Sequence, residues 1–432
     1  MVTENTTLGS KLLEKLGVLS HRNFAYLWFG QILATFGDKF TEIAIPILIY
    51  QLTGSALQLG LAFIFQVVSA MLFGLVGGVM SDRWDRRRTM IGSDLIRAGL
   101  IVVIPLAMAS PLSINGKLAI LYSLIFLIAC VKQFFLPAKI AIIPELVPKK
   151  KLMQANSLDQ AAMKLAEFAG YATAGLLIHY TGVTPAFLTN AGTFLISAVL
   201  IWLMRTQVQT IEVEKTIKAI FKEIKDGLDH VKNVPILAGT VVLSLIAPMA
   251  LGATMPLLII YVDQVLGGGA REFGLMEAFF GLGLSVGVIL VGKYGSDKDR
   301  WSILSVGVLG IGAGMLLTFG IPMLLTAYST SLLLSVALPL FFLTATANGA
   351  IFLGIRTIVQ ENSPHKMIGR VFAVITVASS AAAAAGAAMA GIAETVPVGV
   401  VFLGWACLLL LTGVASALFR SRMVVSQVGE AD

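Results

Sequence analysis

The chain has 432 residues, 57% hydrophobic and 13% charged, with a mean hydropathy of +0.88, a formal net charge of +7 and two cysteines. A soluble domain is about a quarter charged, and so apolar a chain could not cover itself in water, which excludes a soluble enzyme or binding module and leaves a polytopic all-α membrane protein. The basic residues form no single stripe, so no nucleic-acid partner is expected, and Cys130 and Cys407 lie in apolar runs without ligand-spaced histidines, so neither a disulfide framework nor a metal is expected either.

Residues 1–22 contain Lys11, Lys15 and Arg22 among scattered leucines. They lack the continuous apolar run of a cleavable signal and read as a cytoplasmic segment before a retained first span. Apolar segments of spanning length then run over 25–50, 55–80, 89–109, 118–137, 155–179, 184–204, 235–262, 272–292, 302–325, 331–357, 367–392 and 397–419. Twelve spans place alternate loops on opposite sides. One set of loops and the two ends together hold 24 of the 31 Lys and Arg residues, while the opposite set holds only Lys117 and Arg271. By the positive-inside rule both termini are expected in the cytoplasm, in the cell membrane.

The longest loop divides the chain into a bundle over 23–205, a linker over 206–233, a second bundle over 234–420 and a tail over 421–432. In the linker Ile217, Ile220, Phe221, Ile224, Leu228 and Val231 keep helical spacing, which predicts an amphipathic helix tying the halves together.

Between the second and third segments stands Gly77-Gly78-Val79-Met80-Ser81-Asp82-Arg83-Trp84-Asp85-Arg86-Arg87-Arg88, a charged hairpin that must sit at a membrane–water boundary. The halves are related. Leu75-Val76-Gly77, Ser81-Asp82 and Arg83 recur as Leu290-Val291-Gly292, Ser296-Asp297 and Lys298, an offset of 215 (290 − 75). Glu145-x-x-Pro148-x-Lys150 recurs as Glu361-x-x-Pro364-x-Lys366, an offset of 216 (361 − 145).

The hairpin pattern Gly-x-x-x-Asp-Arg-x-x-Arg-Arg resembles the loop signature of the major facilitator superfamily. A longer ordered set resembles that superfamily's drug:proton antiporter family of macrolide-efflux and enterobactin-export proteins. It comprises Gly37-Asp38, Ile45-Pro46, Thr53-Gly54-Ser55, Asp94-Leu95-Ile96-Arg97, Pro137-Ala138-Lys139, Pro144-Glu145-Leu146-Val147-Pro148, Ala155-Asn156-Ser157 and Gly369-Arg370-Val371-Phe372. Phe36-Gly37-Asp38 and Pro137-Ala138-Lys139 are also similar to lysophospholipid transporters. In the fifth segment Gly170 and Gly175 are present, but the Gly-Pro pair of the antiporter signature is not. The resemblance implies twelve helices in two six-helix repeats and secondary transport by alternating access. It implies export of an amphipathic drug- or siderophore-like molecule in exchange for a proton, or alternatively sodium. The second reading is translocation of a lysophospholipid or other membrane lipid, without coupling. A monomer is expected, without cofactor, since no Walker motif occurs.

Charges within spans are functional candidates because burying them costs several kcal/mol unless they are paired or watered. Asp38 and Glu167 fall near the middle of their segments, and Glu42 is one turn from Asp38 on the same face. For Asp38 a coupling carboxylate and a permanently paired structural one both stay open; for Glu167 the same holds, with Lys164 at i−3 as partner. Lys132, Glu277 and Arg356 complete the candidate cavity set, Lys132 and Arg356 being placed where they can snorkel to the cytoplasmic side. Gly78, Asp82, Arg83, Arg86, Arg87, Asp94, Arg97, Asp297, Gly369 and Arg370 form the expected cytoplasmic gate, with Asp82 latching to the helix that starts near Gly369-Arg370. Paired glycines and phenylalanines, Phe280 and Phe341 among them, fit close helix packing or an amphipathic cavity wall.

Overall fold

A computed structural model describes residues 17–205, 217–295, 298–325 and 327–419; for residues 75, 76, 78, 79, 81–83, 217–224, 365 and 366 it describes the backbone alone. The expected N-terminal segment, much of the linker, Asp297 and the C-terminal tail thus lie wholly or mainly outside the described residues.

The described chain is helical, without strands. In order come α1 (Arg22–Thr53), α2 (Ala56–Arg83), α3 (Arg86–Ala109), α4 (Ile114–Leu146), α5 (Leu152–Thr181), α6 (Val183–Trp202) and α7 (Ile217–Asn233). After them come α8 (Pro235–Thr254), α9 (Leu258–Gln264), α10 (Ala270–Tyr294), α11 (Arg300–Leu324), α12 (Thr330–Glu361), α13 (His365–Ala388) and α14 (Val398–Leu418). Ten helical stretches among the described residues are long and apolar enough to cross a membrane. Of the other long helices, α1 and α5 carry charges at mid-length: Asp38, Lys39 and Glu42 on one, Asp159, Lys164 and Glu167 on the other.

Two expected boundaries need correction. The segment 235–262 is not one helix: it breaks at residues 255–257 between α8 and α9, because Pro256 lacks the N–H that would continue the ladder and its ring crowds the preceding turn. The segment 118–137 is too short. Helix α4 continues through Pro137 and Pro144 to Leu146, so Lys132 stands inside the helix and away from its end, and Lys139 belongs to the helix too. Its ammonium is 2.9 Å from Asp159 in a largely buried pair.

Contacts gather the chain into two compact units, one within Met1–Ala44 and Leu72–Glu214, the other within Ile45–Met71 and Lys215–Asp432. In the first, Asp85 caps α3 by accepting from the Arg88 N–H at 3.0 Å, and Arg86 pairs with Glu145. Arg87 donates to the carbonyls of Ile201 and Trp202 at the C-terminus of α6, the first of which also accepts from the Met204 N–H at 3.1 Å. The second unit repeats the corner. Asp299 caps α11 by accepting from the Ser302 N–H at 2.9 Å, and Arg300 pairs with Glu361 at 3.1 Å. Of the repeat detected in sequence, Glu145 and Glu361 take part in this shared corner; the caps and arginines, at an offset of 214 (299 − 85), extend it.

The second unit also holds the turn between α1 and α2. Ser55 Oγ and the Leu57 N–H both donate to Glu394, whose carboxylate thus caps α2, and Tyr50 OH donates to Asp263 at 2.8 Å. Its interior is aromatic: Phe319 lies 4.9 Å from Tyr261 and 4.2 Å from Phe402, ring centre to ring centre. Helix α7 docks on α13, where Arg370 donates to Asp226 at 2.9 Å.

Candidate functional site

In the first unit α1 is positioned by two neighbours that its sequence admits closely. A Cβ on Gly37 would lie 1.9 Å from Thr193 Oγ1 of α6, and a Cβ on Gly170 of α5 would lie 2.7 Å from the Phe36 carbonyl. Glycine at these two positions lets α1 seat against α6 and α5. The hydrogen bond from Asn190 Nδ2 to Thr41 Oγ1, at 2.7 Å and fully buried, fixes the rotation of α1 against α6. Asp38, Lys39 and Glu42 are thereby turned away from α6.

They meet α4 and α5. Lys132 of α4 lies 3.0 Å from Asp38 and 3.8 Å from Glu42, so one ammonium stands between the two carboxylates. The like-charge repulsion expected of two acids one turn apart is offset by a cation from 94 residues away in sequence. Lys39 pairs with Glu42 at 2.8 Å and lies over the ring of Tyr171, 4.8 Å from its centre. Tyr171 OH also donates to Glu42 at 2.7 Å. One turn back along α5, Lys164 pairs with Glu167 at 2.7 Å, and Glu167 acts electrostatically on Lys39. Three acids and three lysines thus form one cluster at mid-length of α1, α4 and α5. Lys39 is the best covered of the six, at 12% exposed, and Lys132 the least, at 48%.

Behind the cluster lies a second, drier network. The Asp94–Arg97 pair of α3 is fully buried; Ser197 Oγ donates to Asp94 at 2.7 Å, and the guanidinium lies 4.8 and 4.1 Å from the ring centres of Phe135 and Phe194. Gln31 of α1 reaches Ser197 at 3.4 Å. Gln31 stands on the same helix as Asp38, which ties the two networks together through α1.

The predicted cavity residues therefore divide. Asp38, Glu42, Lys132 and Glu167 come together, whereas Glu277 of α10 and Arg356 of α12 belong to the second unit, Arg356 exposed. Lys132 does not snorkel. Among the gate residues, Arg86, Arg87, Asp94 and Arg97 have the partners described above, Gly369 is exposed on α13, and Arg370 is held by Asp226. Of Gly78, Asp82 and Arg83 the backbone alone is described, in α2, and Asp297 lies outside the described residues. Sequence reasoning missed Tyr171 and the site role of Lys39. Tyr171 at i+4 from Glu167 was the available signal.

Residues 27–387 match the family model of the Major Facilitator Superfamily. The chain belongs to that superfamily. It is 28% identical to the uncharacterized MFS-type transporter YfiS of Bacillus subtilis (strain 168), over 93% of this chain and 94% of the relative. It is 27% identical to a putative bacilysin exporter of the same organism, over 82% and 84%. Macrolide efflux protein A of Streptococcus pyogenes is 23% identical over 69% and 73%. Among solved structures, a POT family transporter in complex with 5-aminolevulinic acid superposes with a TM-score of 0.71 at 12% identity, covering 93% of this chain and 96% of the other. That likeness shows the fold. The protein is a multi-pass membrane transporter, not an enzyme.

Proposed function

We propose that this transporter exports an amphipathic small molecule by alternating access, exchanging it for a proton that moves inward through the α1–α4–α5 cluster. The observation that carries the reading is the cluster itself: six ionisable side chains at mid-length of three helices in a chain otherwise depleted of charge. Such groups cost too much to keep in the bilayer without a use, and a carboxylate whose partner is a half-exposed lysine can exchange that partner for a proton. Helices α1 and α5, of 32 and 30 residues, are also long enough to cross, which supports a reading of twelve spans, and the distribution of Lys and Arg supports cytoplasmic termini. The exporters among the relatives support the outward direction.

The driving force suffices: an elementary charge moving inward across 100 mV supplies about 2.3 kcal/mol, and a tenfold pH difference adds about 1.4 kcal/mol. The decisive experiment uses proteoliposomes with an imposed pH gradient. Asp38→Asn should abolish uphill efflux while sparing substrate exchange. Undiminished uphill efflux by that variant would remove Asp38 from coupling, and indifference of the wild type to both pH gradient and potential would replace exchange by uncoupled transfer of a lipid-like molecule.

A further inference from the structure

Helices α1 and α2 are each divided between the two units. Residues 45–71, the last turns of α1, the turn at Gly54 and the first half of α2, belong to the second unit, and the rest of both helices to the first. The division in α1 falls beside Pro46, where the helix lacks one N–H of its ladder. Three hydrogen bonds hold this hairpin in the second unit. Tyr50 OH donates to Asp263 of α9, while Ser55 Oγ and the Leu57 N–H donate to Glu394, which ends the 3-10 segment Met389–Glu394 after α13. The seat beneath them is close: a Cβ on Gly60 would lie 2.2 Å from the Ala387 carbonyl oxygen, and one on Gly391 would lie 3.2 Å from Leu57 Cδ1.

Every donor in this set is neutral, and both acceptors are exposed carboxylates with no ion pair among the described residues. The helices packed against Met389–Glu394 bring no cation near it: α8 and α14 carry no charged residue, and His365, Lys366 and Arg370 stand at the opposite end of α13. The corners at Asp85 and Asp299, by contrast, are closed by pairs of guanidinium and carboxylate. A hydrogen bond to a group that water also reaches is replaced at little net cost, so three such bonds close a surface without fixing it. Residues 54–55, 265–269 and 395–397 lie in loops poor in Lys and Arg, which the topology proposed above puts outside the cell.

We propose that Tyr50, Ser55 and Leu57, with Asp263 and Glu394, form the outer latch of the transporter: the hairpin 45–71 leaves α9 and Glu394 once in every export cycle, bending at Pro46, and returns to close the outer face. Alternating access requires a closure on each face without saying which residues make it or by what chemistry. The latch is hydrogen-bonded, with neutral donors on the hairpin, and the glycines at 60 and 391 are its seat. A movement of one unit against the other must either bend the two shared helices or detach this hairpin, and only the hairpin's contacts are of the exchangeable kind. The proposal rests on the export reading, but its test needs no substrate and no gradient.

The experiment reads the distance between the hairpin and α14 by pulsed dipolar spectroscopy. Nitroxides are attached at Gln51→Cys and Val400→Cys, both exposed positions outside the latch, in the full chain carrying Cys130→Ala and Cys407→Ala and held in lipid nanodiscs. Tyr50→Phe should raise the ratio of long to short distances roughly 3- to 10-fold, the change expected of one net hydrogen bond, and Glu394→Ala, which removes two, roughly 10- to 100-fold. Gly60→Val, which cannot seat against Ala387, should leave the long distance dominant, with thermal unfolding confirming that each variant is folded. Raising NaCl from about 0.1 to about 1 M, which shortens the screening length from about 10 to about 3 Å, should leave the wild-type ratio unchanged. A salt shift as large as that of Tyr50→Phe would make the closure ionic and overturn the assignment. Distances unchanged in both Tyr50→Phe and Glu394→Ala would overturn it too. Such unchanged distances with uphill efflux intact would strike the latch alone; shifted distances in a protein whose efflux ignores both pH gradient and potential would strike proton-coupled export alone.

Discussion

At the start of α3 and again at the start of α11, the two units build the same corner, an aspartate capping the helix and the next residue, an arginine, pairing with a glutamate at the end of a later helix. Deeper in, they part. The first unit buries Asp94 and Arg97 and assembles Asp38, Lys39, Glu42, Lys132, Lys164 and Glu167. At the repeat offset of 215 Asp38 and Glu42 correspond to Ala253 and Leu257, and at the offset of 214 (299 − 85) that the two caps set for α3 and α11, Asp94 and Arg97 correspond to Val308 and Ile311. The second unit fills its interior instead with Tyr261, Phe319, Phe341 and Phe402. One duplicated scaffold thus tolerates two interiors. The second unit encloses an apolar interior behind the same corner, which makes the need for the first unit's charges in folding a question that substitution can answer.

The sharpest way to break that comparison is the driest pair. Asp94→Leu leaves the Arg97 guanidinium buried without its counter-ion and should cost about 3–5 kcal/mol, read as a large drop in thermal unfolding temperature in detergent. Asp94→Leu with Arg97→Met makes the site apolar, as in the second unit, and should recover most of the loss. A double variant as unstable as the single one would mean that this charge is required for the fold.

A smaller effect is expected at the cluster. Lys132→Met strips Asp38 of its closest cation, but Lys132 is half exposed, so water takes over part of its role and the cost should be about 1–2 kcal/mol. Adding Asp38→Asn should restore stability without restoring uphill efflux. Recovery of efflux by the double variant would move coupling to Glu42 or Glu167.

Much of this was legible from the chain. Apolar run length located the helices, and the mid-length acids Asp38, Glu42 and Glu167 stood out because charge is scarce. The i,i+3 pairs Asp94–Arg97 and Lys164–Glu167 follow from helical spacing alone. What escaped was pairing between helices. Lys132 reads as a snorkelling residue if α4 is ended at Pro137, and nothing local to Lys132 announces Asp38. The pairing of Arg370 with Asp226 of α7 was not announced either; Gly227 allows that helix to lie directly on α13, while the expected partner side chain of Asp82 lies outside the described residues. The break at Pro256 was readable, and length alone concealed it.

The smallest effect distinguishes a coupled cluster from a set of independent pairs. Tyr171→Phe removes one donor to Glu42 and leaves the ring beneath Lys39 in place. A typical hydrogen bond contributes about 0.5–1.5 kcal/mol net, and because Glu42 keeps Lys39 and Lys132 beside it and is 26% exposed, folding stability should fall by no more than that. The informative readout is transport. Without the phenol, Glu42 relies more on Lys39 and Lys132, and an ammonium drawn toward Glu42 is drawn away from Asp38. If the six charges act as one, the external pH at which efflux is half-maximal should shift in Tyr171→Phe although Asp38 is untouched; the shift should vanish when Glu42 is replaced by glutamine. A profile that superposes on the wild type would show Glu42 and Tyr171 to be packing for α1 against α5, and would leave the coupling step to Asp38 and Lys132 alone.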